Sequence, residues 1–255
     1  MLKTITLMSA LALVPCANAA LIAHYTFDSD GTDSGTSGGE AILGDSGSIN
    51  NSGAAVGGGY LDLAGSPLTD TAGGDGAVST NTFDWSSSDV RTLSFWVMAA
   101  EGDTGDTNAT LISLGSGAGG GTRFDVRLDG ENLRLEVQSG GSTTASDIVD
   151  GSWHHVAIVV NNSTSTVNDV DYYIDGSFVG SFANAQSINT GTGPLRMGDS
   201  YQDTGRDFKG GLDDVRLYDE ALTSGQIAAL AAVPEPSSTA LIGLTGLGFL
   251  LRRRR

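Results

Sequence analysis

Leu21, Ala23, Tyr25 and Phe27 alternate with Ile22, His24 and Thr26 at the two-residue period of a strand, which turns one face of residues 21–27 toward a core. Similar short apolar runs recur at 61–63, 92–98, 110–114, 124–128, 133–137, 155–160, 170–174, 178–182 and 211–218. Most are separated by clusters of Gly, Asp, Asn and Ser, residues that supply positive φ and local side-chain caps for turns. Asp129-Gly130 and Asp175-Gly176, each flanked by strand-like residues, predict hairpins. One helix is predicted, where Thr223 and Gln226 form a capping box ahead of 227–232. Glycine-rich stretches at 31–39, 44–59 and 115–121 read as exposed loops. A parallel α/β fold would need helices between the strands, so the pattern predicts an all-β antiparallel two-sheet sandwich or jelly roll with one short C-terminal helix.

The ends of the chain read differently. Lys3, the apolar stretch 5–14 and Ala17-Asn18-Ala19 have the charged start, short greasy middle and small-residue exit of a secretory signal, cleaved after Ala19. The lone cysteine, Cys16, leaves with that leader, and Pro15 before it does not suit a lipoprotein site. Pro234-Glu235-Pro236 precedes fifteen uncharged residues, 237–251, and then Arg252, Arg253, Arg254 and Arg255. Fifteen helical residues span ~22 Å, short of the ~30 Å hydrocarbon layer. This three-part order resembles the PEP-CTERM sorting tail of Gram-negative bacteria. The resemblance implies recognition by an exosortase, removal of the helix and release to the cell surface or extracellular matrix, so that the membrane is met only transiently. The chain therefore divides into a signal peptide at 1–19, a domain at 20–233 and a sorting signal at 234–255, with signal peptidase and exosortase as partners during export.

Charge narrows the function classes. The 255 residues include 13 basic and 30 acidic side chains. Five of the basic and one of the acidic lie in the leader and tail, which leaves a net charge of −21 between them. Such a field repels phosphate backbones and excludes nucleic acid as a partner.

The sequences Ala23-His24-Tyr25-Thr26-Phe27-Asp28, Leu93-Ser94-Phe95-Trp96-Val97, Trp153-His154-His155-Val156-Ala157, Tyr173-Ile174-Asp175-Gly176 and 208–218 stand in a characteristic order. Together with Ala221-Leu222-Thr223 at the end, they resemble the concanavalin A-like, laminin-G-like jelly roll domain over about 21–230. That resemblance implies two antiparallel sheets packed face to face and extracellular recognition of glycans or proteins.

Candidate chemistry is sparse. Asp28, Asp30 and Asp33 gather three carboxylates around Gly31, which suits Ca²⁺. The resemblance implies a structural calcium where the first and last strands approach, with Asp33 and Asp213 nearest the ion. The alternative is that these acids solvate a turn and that Asp213 or Asp214 pairs with Arg216. His154 and His155 point to opposite sides of a strand and cannot easily clasp one metal. For glycoside hydrolysis, the segment 131–136 supplies Glu131 and Glu136 but lacks the aspartate between them, and the G-x-S-x-G match at 35–39 has no strand-turn-helix around it. Binding is the surviving class. Trp85, Tyr60 and Tyr201 lie in loop-like contexts and are the candidate sugar platforms, Trp85 first because Asp84 and Ser86–Ser88 surround it with polar groups. The sequence thus predicts an exported non-enzymatic surface or matrix protein that binds polysaccharide. A structural coat without a discrete ligand, or less readily a glycosidase, is the alternative.

Overall fold

The computed structural model describes residues 19–64, 76–85, 90–100, 108–115, 119–161, 166–182, 184–201 and 205–232. Residues 1–18 of the leader, Ser86–Ser88 and the sorting residues Pro234, Glu235, Pro236 and Arg252–Arg255 lie outside them.

The strands in chain order are β1 (Leu21–Tyr25), β2 (Ala41–Leu43), β3 (Ser48–Asn50), β4 (Tyr60–Asp62), β5 (Ala77–Phe83), β6 (Arg91–Met98), β7 (Thr110–Gly115) and β8 (Arg123–Asp129). There follow β9 (Asn132–Val137), β10 (Gly140–Asp147), β11 (Trp153–Val160), β12 (Val170–Ile174), β13 (Ser177–Ser181), β14 (Gly193–Met197), β15 (Gly211–Tyr218) and one helix, α1 (Ser224–Ala231). All pairings are antiparallel. One sheet runs β13-β12-β11-β6-β15-β4-β3, with β1 added to the later half of β15; the other runs β10-β9-β8-β7-β14-β5-β2. This is the two-sheet jelly roll that the alternation predicts.

Alternation decides what enters the core. Leu93, Phe95 and Val97 of β6 and Val156, Ile158 and Val160 of β11 face Phe124, Val126, Leu128, Leu133 and Leu135 of the opposite sheet in one buried cluster. Both expected hairpins form. Asp175 and Gly176, with φ of 51° and 74°, supply the two positive-φ positions of the tight turn between β12 and β13. Thr223 caps α1 as expected, accepting from the Gln226 N–H while the Gln226 side chain accepts from the Thr223 N–H. Ile227 anchors the helix to the outer face of the eight-stranded sheet, in a small cluster with Ala157, Val159, Tyr173, Tyr218 and Leu222.

Two of the glycine-rich stretches depart from the exposed-loop reading. The first ends beside β2, and the second contains β3 and returns over the first sheet, where Trp153 Nε1 donates to the Gly53 carbonyl at 2.7 Å. Their glycines serve close backbone approach as well as turning: a Cβ at Gly59 would lie 2.6 Å from the Phe27 carbonyl oxygen.

Candidate functional site

Strand β8 is apolar on one side only. Phe124, Val126 and Leu128 enter the core, so Arg123, Asp125 and Arg127 project from the outer face of the seven-stranded sheet. On β9, Leu133, Leu135 and Val137 face in, and Arg134 and Glu136 face out. The register sets Asp125 opposite Glu136 and Arg127 opposite Arg134. Like charges directly opposite destabilise a sheet. Glu136 offsets this by accepting from Arg127 Nε at 2.8 Å and Nη2 at 2.5 Å, and from Arg123; Arg134 Nε and Arg206 Nη1 approach it at 3.5 and 3.4 Å. Ser113 of β7 donates to Asp125 Oδ1 at 2.7 Å, and beside it Arg196 of β14 pairs with Asp199 at 3.2 Å and lies 5.8 Å from the Tyr201 ring.

Five of the eight basic residues between 20 and 233 therefore share one sheet face. Arg123, Asp125 and Arg127 form its buried floor, while Arg134, Arg196, Arg206 and Tyr201 are partly exposed above it. Guanidinium forks and fixed carboxylates are the groups that hold hydroxyls and carboxylates in two-point contacts. Burial alone would raise the Glu136 carboxyl, but hydrogen bonds and charge from Arg127, Arg123 and Arg206 outweigh it and hold the group below its usual range. It stays ionised and is a poor general acid for glycoside cleavage. The sequence carries a signal for this face, charges at every second position of two apolar strands.

The aromatic expectations need correcting. Trp85 is 5% exposed and belongs to the core, with the Arg91 guanidinium 4.7 Å from its ring; it borders a groove that Ser37, Asn81 and Asp84 also line. Tyr60 is also buried, edge-on to Trp153 at 5.2 Å, and its hydroxyl accepts from Asn50 Nδ2 at 2.9 Å. Trp85 is held by the guanidinium over its ring face and by the core, and Tyr60 by its edge contact with Trp153, so both rings are buried rather than presented to solvent. Tyr201 alone of the three joins the arginine face.

The four candidate metal ligands are not brought together. Among the described residues, no three His, Cys, Asp or Glu side chains could hold a metal. Asp33 is buried and its carboxylate is taken up by the N–H groups of His24 and Gly35, each at 2.7 Å, and by the Ser37 hydroxyl. Asp30 is exposed and accepts from the Thr32 N–H.

Asp28 instead reaches the Gly57–Gly58 backbone, where the carbonyl oxygens of Phe27 and Asp28 and Asn51 Oδ1 would lie 2.6, 2.9 and 3.0 Å from a Cβ at Gly59. Asp213 approaches the same loop, accepting from the Val56 N–H at 2.9 Å. Its Oδ1 is buried without a hydrogen-bond partner among the described residues, and burial pushes its carboxyl up to about 7. Asp28 and Asp213 thus reach the same loop two residues apart, at Gly58 and Val56. Asp214, at φ 50° in the β15 bulge, turns away to meet His24 Nε2 at 2.6 Å and Arg216 at 2.9 Å. His155 is buried against Ser94, while His154 lies between Asp175 and Asp150.

Residues 72–228 match the family described as the concanavalin A-like lectin/glucanases superfamily, and residues 232–255 match the PEP-CTERM protein-sorting motif. Over 169 residues the chain is 29% identical to adhesion G-protein coupled receptor V1 of Danio rerio; the match covers 61% of this chain and 2% of that protein. Domain 4 of AbnA, a GH43 extracellular arabinanase from Geobacillus stearothermophilus solved in complex with arabinotriose, has a TM-score of 0.61 at 22% identity and covers 84% of this chain and 99% of its own. The botulinum neurotoxin serotype D ligand binding domain, solved in complex with N-acetylneuraminic acid, has a TM-score of 0.57 at 13% identity and covers 83% and 50%. At such identities the structures establish the fold alone. With its family match spanning more than half of its length, the chain belongs to the concanavalin A-like lectin/glucanases superfamily and ends in a PEP-CTERM protein-sorting motif.

Proposed function

We propose that this chain is an exported, non-enzymatic glycan-binding domain whose ligand seats on the outer face of the seven-stranded sheet, around Glu136. The observation that carries the reading is the gathering of five arginines on that face of a span whose net charge is −21. Glu136 approached by Arg134 and Arg206, and Asp199 paired with Arg196, position the partly exposed forks above the buried floor, so less conformational freedom is lost on binding. The saccharides in the complexes of the arabinanase domain and the toxin domain support the ligand class. The ionised state of Glu136 supports binding without cleavage. On this reading signal peptidase removes 1–19, exosortase processes 234–255, and the released domain joins the surface or matrix with an exopolysaccharide as ligand.

The test is a glycan array with residues 20–233, repeated with Arg134→Ala and Arg206→Ala. At least one polysaccharide class is expected to bind, each variant to lose most of the signal, and thermal stability to change little, because both side chains are partly exposed. Silence across the array would favour the coat without a ligand, which the burial of Trp85 and Tyr60 otherwise supports. Shortened oligosaccharides in the eluate would contradict the non-enzymatic reading.

The reading also includes a structural Ca²⁺ held by Asp28, Asp213, Asn51 and main-chain oxygens of residues 27–28. The ion would neutralise a buried carboxylate and tie the first and last strands to the 51–59 loop. At a hundredfold excess over its dissociation constant it would stabilise the fold by about 2.7 kcal/mol, or roughly 5–10 °C in a domain of this size. Chelation should lower the melting temperature by that order and added Ca²⁺ restore it, whereas Asp28→Asn should abolish the response. A melting curve indifferent to chelator removes the ion.

A further inference from the structure

The first described residue and the last helix meet on one surface. Tyr218, Leu222, Gln226, Ala229 and Leu230 line a groove of about 320 Å³, which Ala19 closes at one side until it leaves with the leader. The Ala20 carbonyl accepts from the Asp219 N–H at 3.3 Å, which fixes the entry of the chain beside the segment leading to α1. From Ala221 to Pro234 the sequence contains no charged residue, although the surrounding span is strongly acidic. Ala228 and Ala231 pack on the turn glycine Gly176, and β13 beyond that turn carries Phe178, 56% exposed, and Val179, 37% exposed. Phe178 leans edge-on against Tyr173 at 5.6 Å, and Tyr173 belongs to the apolar cluster beneath α1. An uncharged helix, an apolar groove and an exposed phenylalanine thus lie on the outer face of the eight-stranded sheet. Arg123, Arg127 and Glu136 lie on the opposite side of the sandwich.

We infer that this α1 face seats on the lipid bilayer while the chain is tethered by its C-terminal segment, so that the arginine face points away from the membrane. The inference rests on the sorting-tail reading. Only five residues, 232–236, separate the end of α1 from the uncharged stretch 237–251. Five residues can reach at most ~17 Å, so the bilayer lies within a short distance of Leu230. Charge favours lipid over a second copy of the chain as the occupant. Two bodies of the same large negative charge repel, whereas a zwitterionic surface can accept the uncharged helix and Phe178 while the acids of this face, Asp171 beside Tyr173 and Val159 and then Asp175 and Glu220 toward the rim, meet the headgroups. Aromatic and aliphatic side chains at such a face partition into the headgroup boundary.

The test uses the full chain with Cys16→Ser and a single nitroxide-labelled cysteine, Phe178→Cys, Ala229→Cys or, on the other side of the sandwich, Glu131→Cys, in phosphatidylcholine vesicles. On reconstitution, collision of the labels at 178 and 229 with dissolved oxygen should rise several-fold relative to collision with a water-soluble nickel chelate, and the label at 131 should not change. A chain that floats with the vesicles while its label at 178 stays as open to nickel as the label at 131 overturns the seating and leaves the tether standing. A chain that does not float overturns both. Dipolar broadening between labels at 178 that persists without vesicles assigns the face to a second copy and overturns the lipid.

Discussion

Trp85→Ala is expected to lower the free energy of unfolding by about 4 kcal/mol, within the range for deleting a buried tryptophan. Trp85 is 5% exposed within the main core, so its removal leaves a cavity that the sheets cannot close. It also strips the ring from beside the Arg91 guanidinium, which lies fully buried 4.7 Å from the ring centre and reaches the Trp85 carbonyl at 3.4 Å. At roughly 2–4 °C per kcal/mol for a domain of this size, the melting temperature should fall by about 8–16 °C. Denaturant unfolding checks the value. A loss below about 1 kcal/mol, the scale of a surface substitution, accompanied by lost glycan binding, would show that Trp85 works as a surface platform instead.

Glu136→Gln is expected to cost about 3 kcal/mol, because removing one partner from a buried ion pair leaves the other charge uncompensated. Here Arg123, Arg127, Arg134 and Arg206 all approach the one carboxylate, and Arg127 and Arg134 stand directly opposite across the strands. Glutamine keeps the size and one acceptor but not the charge. Glu131→Gln in the exposed β8–β9 turn should stay within about 0.5 kcal/mol. The pH dependence has a definite sign. Because the folded-state value of Glu136 lies below its ordinary 4.5, the wild-type advantage is fully present above that pH and is lost as pH falls through the lower folded value. Paired urea titrations of wild type and variant near neutrality and in acid measure both quantities. Equal stability of the two proteins at neutral pH would mean that the arginines do not depend on Glu136.

Much of the fold was legible because its strands alternate cleanly. Leu93, Phe95 and Val97, or Phe124, Val126 and Leu128, announce a core face by period alone. Strands such as β5, β10 and β14 did not stand out, since Ser, Thr, Asn and Gly occupy positions that only the neighbouring strands make suitable for pairing. The site was less readable for the same reason. Arg123 and Arg134 share one hairpin, but Arg196 and Arg206 lie more than sixty residues further on and join them only through the order β9-β8-β7-β14 and the loop after β14. Trp85 misled because its sequence neighbours are polar while its spatial neighbours are apolar. Asp33 misled because carboxylate spacing does not reveal that backbone N–H groups have already taken up its oxygens.

Amide hydrogen exchange with and without a polysaccharide that binds on the array tests the placement of the ligand most directly. Added protection is expected at 123–129 and 132–137, with 177–181 and 224–231 unchanged. Protection confined to α1 and β13, or to the 51–59 loop, with no change along β8 and β9, would contradict the arginine face as the binding surface.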